Sequence, residues 1–166
     1  MGCKVVKASR IIAIDINPGK EKIAREFGAT DFVNPKTLET STVEHLNSIT
    51  DGGLDYTFEC VGNVNTMREA LEACHKGWGL STIVGISNPE HDIKIMPFQL
   101  VTGRTWQGSY FGGWKTLDDI PRLVADYMSG ILKLDEFISH QLPLESINKG
   151  FDLMLARDGL RSVVIF

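Results

Sequence analysis

The sequence alternates short apolar, β-branched runs with segments whose apolar residues recur at helical spacing. The first run, residues 11–16, ends at Asn17-Pro18-Gly19, and residues 20–27 then place Ile23, Ala24 and Phe27 on one helical face. Continuously apolar strands imply that helices cover both faces of a sheet. The pattern predicts an α/β fold built on a doubly wound parallel sheet.

The alternation continues along most of the chain. Further strands are predicted at 31–33, 54–60, 80–86, 104–111 and 163–165, and further helices at 41–49, 64–74, 117–129 and 144–156. From about residue 112 the order becomes helix, short strand, helix, strand. Residues 1–111 are therefore expected to form the doubly wound part, and residues 112–166 a different substructure.

Charge and cysteine usage exclude several classes of protein. The net charge is −4 and no run of Lys or Arg is present, which argues against nucleic-acid or membrane partners. No apolar stretch is long enough to span a bilayer, and the first ten residues lack the apolar core of a secretory signal. Three widely spaced cysteines indicate reduced thiols and a cytoplasmic protein, and no metal-ligand spacing is visible.

Asp15 is the single acidic residue of the first predicted strand and lies near its carboxyl end. In the second strand of a dinucleotide fold, an acid at this place accepts hydrogen bonds from the adenosine ribose and repels a 2′-phosphate, which favours NAD over NADP. The alternative is a solvated aspartate in a turn, since Asp-x-Asn-Pro-Gly is itself good turn chemistry. Spacing alone leaves both interpretations open.

The glycine-rich loop that should accompany such an acid is not found. A G-x-G-x-x-G should precede Asp15 by about 20 residues, but only fourteen residues precede it and they are not glycine-rich. Two other segments, 59–63 and 84–86, end strands with a glycine and are expected to open on the same crevice. Lys20 and Arg161 could meet phosphate or ribose oxygens, or could simply be solvated.

Four longer motifs carry a family resemblance. They are FECVGNV at 58–64, ALEACHKGWG at 70–79, PFQLVTGRTW at 97–106 and FGGWK at 111–115. Together they resemble the zinc-dependent medium-chain alcohol dehydrogenases. The resemblance is strongest to the class III branch, the S-(hydroxymethyl)glutathione dehydrogenases active in formaldehyde detoxification. It runs over the whole chain, and the motifs are long and in order.

The resemblance implies residue roles on the adenosine side of a bound NAD. Asp15 and Lys20 match the pair that holds the adenosine ribose. Cys60 and Val61 match crevice positions beside the adenosine and its ribose. Arg161 resembles the arginine that contacts the pyrophosphate.

It also implies roles at the reactive end. Val84 and Ile86 resemble the residues that flank the nicotinamide. Phe111 matches a backbone contact to the carboxamide, and Tyr110 matches a residue of the substrate pocket. No catalytic residue and no metal ligand can be carried over, because the family's zinc ligands and proton relay precede the part that resembles this chain.

The resemblance further implies an incomplete enzyme. Met1 corresponds to a position inside the helix after the glycine-rich loop, so the first strand and that loop are expected to be missing. Residues 112–166 are expected to be the segment that packs on the catalytic domain. The family activity is NAD-dependent oxidation of S-(hydroxymethyl)glutathione or primary alcohols. This chain alone is expected to be inactive and to bind NAD weakly or not at all.

Two further expectations concern association and class. In the family, the strand matching 104–111 pairs with its twin, so a homodimer through that strand is expected. The alternative class is a non-catalytic isoform or gene fragment that acts at most as a weak nucleotide-binding or subunit-pairing module.

Overall fold

The computed structural model describes all residues, 1–166, and contains seven strands and seven α-helices. The strands are β1 (Ile12–Ile14), β2 (Asp31–Val33), β3 (Tyr56–Glu59), β4 (Leu80–Ile83), β5 (Thr105–Gly108), β6 (Ile138–Pro143) and β7 (Arg161–Ile165). The helices are α1 (Gly2–Val5), α2 (Glu21–Glu26), α3 (Thr42–Ile49), α4 (Val64–Glu72), α5 (Phe98–Val101), α6 (Thr116–Met128) and α7 (Ile147–Leu155). Strands and helices alternate as the sequence predicts.

The strands form three sheets, in the orders β1-β2, β3-β4-β5 and β6-β7. All pairs in the second and third sheets are parallel. This confirms the parallel α/β class. In the doubly wound order 3-2-1-4-5-6, the first strand separates the second from the fourth. Here β1 pairs only with β2, and β3 pairs only with β4, so no strand of this chain joins the two sheets.

Several predicted elements are longer than the observed ones. The first strand ends at Ile14, so Asp15 follows the strand instead of lying inside it, although its N–H still bonds to Val33 O at 3.2 Å. The strand predicted at 104–111 is only Thr105–Gly108, because the chain turns at Tyr110 into a 3-10 turn. Apolar composition continues past the last ladder hydrogen bond, and composition alone cannot mark that end.

Contacts divide the chain into two compact units, of which one comprises residues 14–20 and 33–114. Its fully buried side chains include Leu71 of α4, Cys74 just after that helix and Ser81 of β4. Burial raises the pKa of the Cys74 thiol, which accords with a structural role. At the start of α3, Ser41 and Glu44 form a capping box.

The other unit comprises residues 1–13, 21–32 and 115–166. Its centre is β6, α7 and β7, with Leu142 of β6 buried and the rings of Phe27 and Phe137 stacked at 4.6 Å. The carboxylate of Asp31 accepts two hydrogen bonds from the Arg10 guanidinium, at 2.8 and 3.0 Å. These bonds and the Thr30 hydroxyl hold the pKa of Asp31 well below its usual range. None of the helices has the length and apolar character needed to cross a membrane.

Candidate functional site

The carboxyl ends of β3, β4 and β5 lie at one edge of their sheet. Parallel register pairs Glu59 with Ile83, and Ile83 with Gly108, so the loops that follow the three strands leave from neighbouring positions. In open α/β sheets, ligands bind in the crevice outside these ends. A ligand site is therefore expected at this edge of the sheet.

A buried carboxylate organises the loop after β3. Glu59 is 4% exposed, and its Oε1 accepts the backbone N–H groups of Val61 and Gly62, both at 3.0 Å. The same oxygen accepts the Thr66 hydroxyl at 2.7 Å, from the first turn of α4. Asn63 caps that helix by accepting from Asn65 N–H. One side chain thus fixes both the loop and the start of the helix.

The loops after β3 and β4 touch backbone to backbone. Val84 and Gly85 N–H both donate to Glu59 O at 2.8 Å. A Cβ at Gly62, which has φ +83°, would collide with Ile86 O, and a Cβ at Gly85 would collide with Gly62 N. Both positions therefore need glycine. The segments 59–63 and 84–86 thus follow neighbouring strand ends, and that they open on a common ligand crevice stays a prediction.

Apolar side chains at this edge face solvent. Val61, Val84 and Ile86 are exposed, Ile86 to 92%, and the Cys60 side chain is exposed as well. Exposed aliphatic groups on a rigid backbone are suited to the flat faces of an aromatic ligand.

Asp15 and Lys20 flank the turn after β1 and are half-buried. Asp15 Oδ1 accepts Asn17 N–H at 2.7 Å, and Asn17 in turn accepts Gly19 N–H, so the Asx turn that the sequence offered is present. The turn uses only Oδ1 of the Asp15 carboxylate. The turn interpretation and the ligand interpretation are therefore compatible.

Two aromatic residues follow β5. Tyr110 is 95% exposed, and Phe111 has φ +50°, a left-handed backbone rarely seen at a bulky residue. Such conformations cluster at ligand sites. Arg161 is exposed at the start of β7, which belongs to the other compact unit. Its role against a pyrophosphate stays a prediction, as do the roles of the other eight residues.

No group of three or more His, Cys, Asp or Glu side chains is arranged to hold a metal ion. The side chains present therefore do not fit zinc.

Comparison with known proteins decides the family. The sequence model described as "Zinc-binding dehydrogenase" matches residues 1–126. This chain belongs to the zinc-binding dehydrogenase family. Among its relatives, the alcohol dehydrogenase class-3 of Myxine glutinosa is 58% identical over 164 residues, and that of Drosophila melanogaster is 54% identical over 166. Each alignment covers 99% of this chain and 44% of the relative, so the chain spans less than half of their length.

Solved dehydrogenase structures share the fold. Benzyl alcohol dehydrogenase from Acinetobacter calcoaceticus superposes with a TM-score of 0.88 at 26% identity, covering 97% of this chain and 44% of that one. An alcohol dehydrogenase from Thermus sp. ATN1 superposes with a TM-score of 0.80 at 30% identity, covering 99% and 46%. The family and Rossmann-like fold that the motifs predict are thereby confirmed.

A dinucleotide fits the residues that this family member presents. The Asp15 carboxylate keeps Oδ2 outside its turn, and exposed aliphatic groups stand at the carboxyl ends of β3 and β4. Sequence reasoning named Glu59 only as part of a strand end and did not find its hydrogen-bonding role. An acid followed at once by Cys-Val-Gly-Asn was the available signal, because such a side chain can cap the turn it precedes.

Proposed function

We propose that the chain carries part of the NAD site of a zinc- and NAD-dependent alcohol dehydrogenase acting on S-(hydroxymethyl)glutathione or a related primary alcohol. The observation that carries this proposal is the edge where β3, β4 and β5 end, with its glycine-bracketed loops and exposed aliphatic groups. The 54–58% identity to alcohol dehydrogenases of class 3 supports the substrate class.

Each residue has a defined task in this proposal. Asp15 accepts hydrogen bonds from the adenosine ribose hydroxyls, and its charge disfavours a 2′-phosphate. Lys20 supports the same ribose, and Cys60 and Val61 border the adenosine.

NAD, when bound, supplies the hydride acceptor. Val84 and Ile86 shield the nicotinamide from water, Phe111 meets its carboxamide through the backbone, and Tyr110 lines the alcohol pocket. Arg161 pairs with the pyrophosphate.

The 166 residues alone are proposed to bind NAD weakly and to be inactive. The sequence holds no G-x-G-x-x-G, the loop that supplies most pyrophosphate contacts in such folds. Nor does it offer a ligand set for zinc. Residues 112–166 are proposed to pack on a catalytic domain. The apolar side chains of α6 support this, because Leu117 and Met128 are exposed to 90% and 76%.

Calorimetric titration of the purified chain with NAD and NADP tests the site. We expect a dissociation constant weaker than about 100 μM for NAD, and a preference over NADP that Asp15→Ala removes. Equal preference in wild type and variant would contradict the proposed role of Asp15, and a low micromolar constant would contradict weak binding. NADH formation with S-(hydroxymethyl)glutathione above the background without protein would contradict inactivity.

A second candidate function is subunit pairing. The strand β5 is the outer strand of the β3-β4-β5 sheet, so its far edge carries unpaired backbone groups. Two copies could join these edges about a two-fold axis and form a continuous sheet. This function requires neither NAD nor zinc, and a dimer with no nucleotide binding would favour it.

A further inference from the structure

The Glu59 side chain is bound only by hydrogen-bond donors of its own strand end. It is 4% exposed, and the donors that bind its carboxylate lie within residues 61–66. None of these donors is a cationic side chain. Burying a carboxylate is costly unless hydrogen bonds satisfy it. A neutral side chain would fill the place at lower cost, so packing alone does not explain the acid.

We infer that Glu59 is the positioning residue of the nucleotide crevice, an inference that rests on the proposed function. Its Oε1 draws the N–H groups of Val61 and Gly62 inward, which turns the Val61 side chain outward to 73% exposure. Cys60 and Val61 are the residues proposed to border the adenosine. The carboxylate therefore sets the orientation of the surface on which that base lies.

The same carboxylate also acts on the neighbouring loop. Its Oε2 accepts Gly62 N–H at 3.1 Å and lies 2.7 Å from where a Cβ on Gly85 would be, so only a glycine packs against it there. Val84 and Gly85 donate to the backbone carbonyl of Glu59. Displacing the Glu59 side chain therefore displaces both loops, because Gly62 and Gly85 leave no space between them.

A role through charge and a role through position predict opposite effects of Glu59→Gln on nucleotide binding. NAD and adenosine 5′-monophosphate are anions, so the buried negative charge at Glu59 by itself opposes their binding. If the residue acted only through its charge, Glu59→Gln would strengthen binding. If it positions the loop, Gln weakens binding, because its amide nitrogen cannot accept from Gly62 N–H as Oε2 does.

The test uses the full 166-residue chain with adenosine 5′-monophosphate as the probe. NMR spectra of the backbone amides give the dissociation constant, the chemical shifts of Val61 and Gly62, and the rates at which these two amides exchange with solvent. The variants are Glu59→Gln and Glu59→Ala. Thr57→Val is the matched control, because Thr57 is buried in the same strand as Glu59. Its hydroxyl bonds to Ala70 O of α4 and to Cys74 Sγ just after that helix, and not to the loop after β3. Urea unfolding reports the stability of each variant.

We expect Glu59→Ala to weaken binding at least about tenfold and Glu59→Gln to weaken it less. In both variants the Val61 and Gly62 amides should exchange faster, whereas Thr57→Val should lose stability and keep the wild-type dissociation constant. Wild-type or stronger binding by Glu59→Gln would overturn the inference and leave the proposed function standing. Equal weakening by Thr57→Val would also overturn it, because general destabilisation would then explain the loss. No binding by the wild-type chain would overturn the proposed function itself.

Discussion

Arg104 is the residue whose replacement tests the packing beneath the proposed site. Its side chain enters the protein next to β5 and is only 7% exposed. The guanidinium donates to Cys74 O at 2.8 Å and to Glu72 O at 3.2 Å, at the carboxyl end of α4. It also donates to the side chain of Gln99. Arg104 thus binds otherwise unpaired carbonyls at a helix end, where a cation is favoured.

Arg104→Met keeps most of the side-chain volume and removes every donor. Each buried carbonyl left without a donor costs about 1–3 kcal/mol, and relief of the buried charge offsets part of that cost. The net loss should be about 2–5 kcal/mol, a large share of the roughly 5–15 kcal/mol of a typical domain. Arg104→Lys should recover less than half, because one ammonium cannot span both carbonyls.

Urea unfolding followed by tryptophan fluorescence measures this loss, because Trp78, Trp106 and Trp114 all lie in the unit that contains Arg104. Arg68→Met is the matched control. Arg68 lies on α4, the helix whose carboxyl end Arg104 binds. Its half-exposed side chain is 3.6 Å from the Glu72 carboxylate, so its replacement should lower the free energy of unfolding by less than about 0.5 kcal/mol. Equal unfolding midpoints for the Arg104→Met and Arg68→Met variants would refute the reasoning.

Three further predictions concern acid stability, association and metal content. Because the pKa of Asp31 is lowered in the folded chain, its stabilising effect is complete above its unfolded pKa of about 4 and is lost as the pH falls through the folded value. Asp31→Asn should therefore lower the urea midpoint at pH 7 by more than at pH 2, and equal shifts would contradict this. Gln107→Pro should reduce dimer formation in light scattering, and unchanged association would show that β5 is not the contact. Elemental analysis after dialysis should find no stoichiometric zinc, and about one zinc per chain would contradict the ligand reasoning.

The order of strands and helices could be predicted from the sequence because that order is reflected in the spacing of the apolar residues. The run 80–86 contains the middle strand β4, where Ser81 and Thr82 are buried, whereas Val84 and Ile86 lie beyond the strand and are exposed. The short helix Phe98–Val101 was not predicted, because four residues after a proline carry no period. Strand ends such as Gly108 depend on the neighbouring strand, which local sequence does not contain.

Position along the strands singled out Asp15 and the segments 59–63 and 84–86, whereas the individual roles of the site residues came from the family resemblance. Asp15 was identified because an acid is unusual in an apolar run, and Val84 because a glycine follows it at a strand end. Glu59 and Arg104 were missed as organising residues for a common reason. Each satisfies backbone groups that the fold leaves unpaired, and only the three-dimensional arrangement reveals which groups those are.

The central claim is that the edge where β3 and β4 end binds NAD, and an amide-resolved NMR titration tests it most directly. We expect the amide signals of Val61, Gly62 and Gly85 to shift together with those of the turn after Asp15, all with one dissociation constant. Amides of α6 and α7 should not shift. Shifts confined to those helices, or none at NAD concentrations up to about 10 mM, would contradict the claim.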